Sequence, residues 1–176
     1  MTEVKVLLWI VLSQFIFFLI FLYFSEFNLV LKNYFLYALL LILLNLVSLY
    51  LFLNVLKTGE LSTYIPLLSF TPLFSAVYAN LILRESLNYL QYAGIFFIIM
   101  GAYLLYLDKI SSSIKKKFNL FKNKNFFMVI IVALIWSLTP VLDKECMKYS
   151  DIYLHGFIQS LGMVLFFPLI FIKQIN

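Results

Sequence analysis

The chain is poor in the residues from which most active sites are made. Its single cysteine, Cys146, excludes a disulfide framework and any cysteine-based metal site within one chain. Its single histidine, His155, excludes the usual multi-histidine metal centres. Charged residues make up only 12% of the 176 residues, about half the share of a soluble domain. No apolar segment carries an ionisable group near its middle, the usual mark of a proton relay or ion site inside a membrane. H-E-x-x-H, G-x-S-x-G and Walker patterns are absent as well. General acid–base chemistry has almost nothing to work with, so neither an enzyme nor a metal or cofactor is expected.

Apolar residues fill the space that charges leave. They supply 64% of the chain, too much for so few charges to cover as a soluble core. Six apolar segments stand out, at about 5–24, 34–56, 62–83, 90–107, 126–142 and 153–172. Each approaches the roughly 20 residues that span a hydrocarbon core at 1.5 Å rise per residue. Lipid offers no partner to backbone groups, so a spanning segment is either a helix or part of a closed barrel. Barrel strands alternate in polarity, and these runs do not. An all-α integral membrane protein with six transmembrane helices is therefore predicted. The opening run MTEVKVLLWIVLSQFIFFLIFLYF is too long for a signal peptide and lacks an A-x-A-like cleavage site, so it reads as a retained span.

Charge orients these helices. The connection at 108–125, DKISSSIKKKFNLFKNKN, holds six of the thirteen basic residues: Lys109, Lys115, Lys116, Lys117, Lys122 and Lys124. The positive-inside rule places such a loop in the cytoplasm. Six crossings then put both chain ends there too, adding Lys5, Lys57 and Lys173 to that side. Lys32, Arg84, Lys144 and Lys148 fall opposite. The net charge of +5 follows from orientation. The partner it implies is a lipid bilayer, and no nucleic acid is expected.

The third segment is the most polar. Ser62, Pro66, Ser69, Leu73, Ala76 and Asn80 share one helical stripe, and Tyr64, Thr71 and Tyr78 lie opposite. Pro66 and Pro72 each delete a helical hydrogen bond and should bend or loosen the helix. Carbonyls freed at that depth are tolerated beside protein or a water-filled cavity. Such a helix suits a pathway lining, and its small residues equally suit plain packing. Gly94 and Gly101, two turns apart, are expected to let another helix approach. Asn45, Asn54, Gln14, Gln159 and His155 are candidate interhelical hydrogen bonders, with His155 near a membrane interface. Asp143, Lys144 and Glu145 end the fifth segment, either snorkelling to water or presenting Lys144 to an anionic substrate.

Taken together, Lys57-Thr58-Gly59-Glu60-Leu61-Ser62, Pro66, Thr71-Pro72-Leu73, Glu85, Gly94 and Gly101 resemble the EamA repeat of the drug/metabolite transporter superfamily. A fainter match, Ala133-Leu134-Ile135-Trp136-Ser137-Leu138-Thr139-Pro140 with Lys144, is similar to the opening helix of such a repeat. The resemblance implies a ten-helix plan of two inverted five-helix repeats, of which this chain would hold helices two to seven. Residues 1–110 would form a first repeat lacking its opening helix, 108–125 a cytoplasmic loop, and 126–176 the start of a second repeat. The family's usual assignment puts the loop after its fifth helix outside, whereas the lysines here place it inside. The missing helices point to a split or partial transporter, completed by a second copy or a second chain.

The expected function is transport of a small organic solute, without a cofactor, through a cavity lined by the second, third and fifth helices. Asn45, Asn54, Ser69, Thr71, Tyr78, Asn80, Trp136, Thr139 and Lys144 are the candidate lining residues. Two alternatives belong to other classes: a non-transporting membrane subunit or remnant, and a flippase-like member acting on lipid-linked solutes.

Overall fold

The computed structural model describes residues 3–58, 66–110 and 124–175, and its regular elements are helices. Helix α1 (Glu3–Phe21) runs into a 3-10 turn at Leu22–Phe24, and α2 spans Leu31–Thr58. A helical turn at 66–68 precedes α3 (Thr71–Tyr78), which continues as a π-helical segment, Ala79–Leu83. Then follow α4 (Tyr89–Ile110), α5 (Lys124–Cys146) and α6 (Ile152–Ile175).

A helix occupies the described part of each predicted apolar segment, with ends displaced by a few residues because backbone helices outlast their apolar cores. Helix α5 ends four residues later than hydropathy suggests, so Asp143, Lys144 and Glu145 lie inside its last turn. The third span departs more. It was expected as one helix from residue 62, and the structure interrupts it at Ser69–Phe70. Gly59 to Ile65, with Ser62 and Tyr64, lie outside the described residues, as do Lys115, Lys116, Lys117 and Lys122 of the lysine run.

Among the described residues five helical stretches are long and apolar enough to cross a membrane: Val4–Phe24, Tyr34–Lys57, Pro66–Leu83, Lys124–Cys146 and Ile152–Phe171. Tyr89–Leu104 is a shorter apolar helix. A backbone contact bears on whether it crosses too. The N–H of Val30, between α1 and α2, donates to Tyr149 O at 2.9 Å, between α5 and α6. Leu29 and Ser150 form an antiparallel bridge beside it. Both connections therefore lie on one side of the membrane, and an even number of crossings separates them. With α2, the third span and α5 crossing, α4 must cross as well.

Helix starts are set by local chemistry. Asn88 and Gln91 form a reciprocal cap on α4: Gln91 N–H donates to Asn88 Oδ1 at 2.9 Å, and Asn88 N–H to Gln91 Oε1 at 2.8 Å. Asp151 caps α6, its Oδ1 accepting the N–H groups of Tyr153 and Leu154 at 3.0 Å each.

The chain divides into two compact units, Met1–Tyr50 with Leu142–Asn176, and Leu51–Val141. In the first, α1 lies along α6, with the rings of Phe15 and Phe157 at 5.9 Å and Phe21 stacked on Tyr153 at 6.2 Å. Two glycines of α6 make close packing possible. A Cβ at Gly156 would sit 2.1 Å from the Phe18 ring, and one at Gly162 would sit 2.2 Å from Ile42 Cδ1. In the second unit, buried Val55 and Val129 pack with Leu67, Leu68, Phe126 and Met128.

Candidate functional site

The interruption of the third span follows from its prolines. Pro72 has no N–H, so the Leu68 carbonyl loses its helical donor, and the Thr71 hydroxyl takes that place. Ser69 N–H reaches Pro66 O at 3.2 Å and Phe70 N–H reaches Leu67 O at 3.2 Å, both tightened to i−3 spacing. Leu73 N–H turns to Phe70 O at 3.0 Å, a 3-10 bond in place of the helical one to Ser69. Backbone carbonyls are thus loosened within a stretch of spanning length, where lipid could not satisfy them.

At its other end the same span widens into the π segment and stops at Arg84, whose φ of 56° is left-handed. Glu85 N–H donates to Ala79 O at 3.3 Å and Asn80 Nδ2 to Glu85 O at 3.3 Å, which close that end without a glycine.

Most of the candidate lining residues fall in the unit Leu51–Val141. Ser69, Thr71 and Tyr78 are half-buried, and Asn80 is exposed. Asn54 is half-buried near the end of α2. Trp136 on α5 packs its ring 4.8 Å from that of Phe52 on α2. Thr139 is buried, its hydroxyl donating to Trp136 O at 3.5 Å. Asn45, half-buried, and Lys144, exposed, belong to the other unit. Cβ atoms built at Gly94 and Gly101 meet nothing within 4 Å among the described residues. The glycines in close helix contact are Gly156 and Gly162, which sequence reasoning passed over.

A second polar assembly lies in the other unit, built on two of the expected interhelical hydrogen bonders, His155 and Gln159, with partners that the sequence did not indicate. Tyr34 Oη is 2.9 Å from His155 Nδ1, and His155 Nε2 is 3.0 Å from Asp143 Oδ1. Tyr34 is 1% exposed and His155 6%, while the Asp143 side chain is 39% exposed. The chain of contacts therefore runs from the half-exposed Asp143 to the buried Tyr34 across α5, α6 and α2. A carboxylate only accepts, so with Asp143 ionised the neutral imidazole carries its hydrogen on Nε2 and accepts from Tyr34 at Nδ1. One turn further along α6, Gln159 donates from Nε2 to Ala38 O at 3.2 Å. Its Oε1 is buried and has no hydrogen-bond partner among the described residues. The available signal was polar residues four apart, His155 and Gln159, in an otherwise apolar span.

Around this assembly, Lys148 pairs with the largely buried Glu145. Asp151 accepts from Ser25 Oγ at 2.8 Å besides capping α6. Burial pushes the Asp151 carboxyl up, but hydrogen bonds from Leu154, Ser25 and Tyr153 outweigh it and hold it below its ordinary value. Among the described residues no group of three or more His, Cys, Asp or Glu side chains is arranged to hold a metal ion.

Compared with known proteins, residues 1–107 match the model of a family described as the EamA-like transporter family. No curated protein and no solved structure matches.

Proposed function

The chain belongs to the EamA-like transporter family, and we propose that it is a secondary carrier for a small organic metabolite rather than a catalyst. Family membership and the apolar helices make it a multi-pass membrane protein. The observation that carries the finer reading is the broken third span. Discontinuous helices with loosened carbonyls are where carriers hold solutes near the membrane midplane. The solute path runs beside Asn54, Ser69, Thr71, Tyr78, Trp136 and Thr139, with Asn80 at its end. The 108–125 loop and both chain ends face the cytoplasm.

Reconstitution in liposomes tests this. The probes are labelled amino acids, nucleosides and sugars, with Trp136 fluorescence read in a Trp9→Phe background. One class should enter saturably and quench Trp136. Absence of uptake and quenching for all three, with the chain alone and with any copurifying partner, sinks the carrier reading.

A second reading is favoured by the open faces of Gly94 and Gly101: the chain works together with helices from a second copy or a second chain. Cross-linking through cysteines placed at positions 94 and 101, followed by mass determination, separates a self-pair from a different partner.

A further inference from the structure

We propose that Asp143, His155 and Tyr34 form a proton-binding site, filled from the side opposite the lysine-rich loop, whose occupancy couples the carrier to proton movement. The site stands on its own geometry; the coupling rests on the carrier reading above.

Three titratable groups are joined in series, the outermost half-exposed and the inner two buried. Asp143 is the half-exposed end of the series, and the imidazole lies between it and Tyr34 with one nitrogen, Nδ1, free to take a further hydrogen. In the neutral state the order is Tyr34 O–H to Nδ1, and Nε2–H to the carboxylate. With one proton added, the site holds an imidazolium with Nε2–H on Asp143 and Nδ1–H on Tyr34 Oη. Tyr34 then changes from donor to acceptor, and its own hydrogen has to find another acceptor.

Gln159 Oε1, which has no partner among the described residues, is the acceptor the proposal assigns. Gln159 follows His155 by one turn of α6, and the Ala38 it bonds follows Tyr34 by one turn of α2. The two pairs are successive rungs between the same two helices. A buried acceptor left empty is costly unless some state of the protein fills it. Protonation supplies that state, directly or through a bridging water.

The other titratable groups at this end of the helices are Asp151 at the start of α6, and Cys146 and Glu145 in the last turn of α5, with Lys148 paired to Glu145. Helix α1, the other helix against α6, brings Phe15, Phe18 and Phe21 to this region. Its charged residues, Glu3 and Lys5, lie at its opposite end. Protonation thus rearranges bonds among α2, α5 and α6, the helices a carrier would have to move.

His155 is the only histidine, so labelled histidine reports this site alone. The full chain, with ¹⁵N-histidine and ¹³C-tyrosine, is placed in lipid nanodiscs and stepped from about pH 9 to about pH 5. The expected result is loss of the bare Nδ1 signal as an Nδ1–H appears. At the same pH the tyrosine signal missing from Tyr34→Phe should shift. In Asp143→Asn, which keeps the side-chain shape, that pH should move. An imidazole that keeps one protonation state throughout, or titrates without any tyrosine response, overturns the proposal.

Coupling is read in liposomes holding a pH dye while amino acids, nucleosides and sugars are added. Solute entry should change lumenal pH, and the dye response should vanish in His155→Gln. Entry without a dye response refutes coupling and leaves the carrier reading standing. If nothing enters, the carrier reading fails, and the nanodisc spectra still decide whether the proton site exists.

Discussion

Single side chains carry much of the order where α6 begins. Asp151 ties the start of α6 to Ser25, and its folded carboxyl titrates below the ordinary 3.8. A depressed carboxyl stabilises the fold above its unfolded value, and the contribution is lost as pH falls through the folded value. Asp151→Asn should therefore melt earlier than the parent at neutral pH. The gap between the two melting curves in detergent should close as pH falls from about 5 to about 2. At Gly162 the neighbour is Ile42 Cδ1, so Gly162→Ala should cost about 1–3 kcal/mol by overpacking. Adding Ile42→Val, which removes that methyl, should restore part of the loss in a double-mutant cycle of melting temperatures. Little of this was legible in sequence. Tyr34 and His155 lie 121 residues apart, so His155 reads as an interhelical hydrogen bonder while its partner, Tyr34, reads only as a ring at a membrane interface. Gly156 and Gly162, six apart, form no small-xxx-small pair with each other, and only the seat of α1 and α2 against α6 reveals their use.

Among the helices, what hydropathy fixes and what it misses separate cleanly. Runs of apolar residues located all six, because a helix must satisfy its own backbone in lipid. Their ends moved by a few residues, because caps such as Asn88 with Gln91 and Asp151 set where winding starts. The third span shows the opposite case. Pro66 and Pro72 announced a loosened helix, yet the site of the break and the role of Thr71 depend on which carbonyl loses its donor. Pro72→Ala returns that donor to Leu68 O. It should raise the melting temperature and slow solute uptake in liposomes, since a straightened helix gives up its loosened carbonyls. Gly94→Ala and Gly101→Ala, facing open space, should leave the isolated chain unchanged or stabilise it by up to about 1 kcal/mol. If a partner helix docks there, the same changes should weaken cross-linking.

For the molecule as a whole, the bond between Val30 and Tyr149 constrains topology more firmly than any one span. Cysteines placed at Ser86 and Lys148 should react with an impermeant maleimide from one side of the membrane. One at Lys116 should react only from the other. Cys146 is buried and gives little background. Labelling of all three from one side would overturn the six-crossing plan. The expected orientation rested on lysines alone, and the tie between the first and fifth connections was invisible in the sequence, because antiparallel bridging leaves no compositional mark. One of the two packed bodies joins Met1–Tyr50 to Leu142–Asn176, and this sets a schedule for biogenesis. Helix α1 leaves the ribosome about 130 residues before the helix it lies against, a wait of roughly 7–26 s at ordinary elongation speeds. Through that interval its phenylalanine face has only lipid or the insertion machinery for company, so a nascent chain stalled before α6 should be the species that membrane quality-control proteases find first.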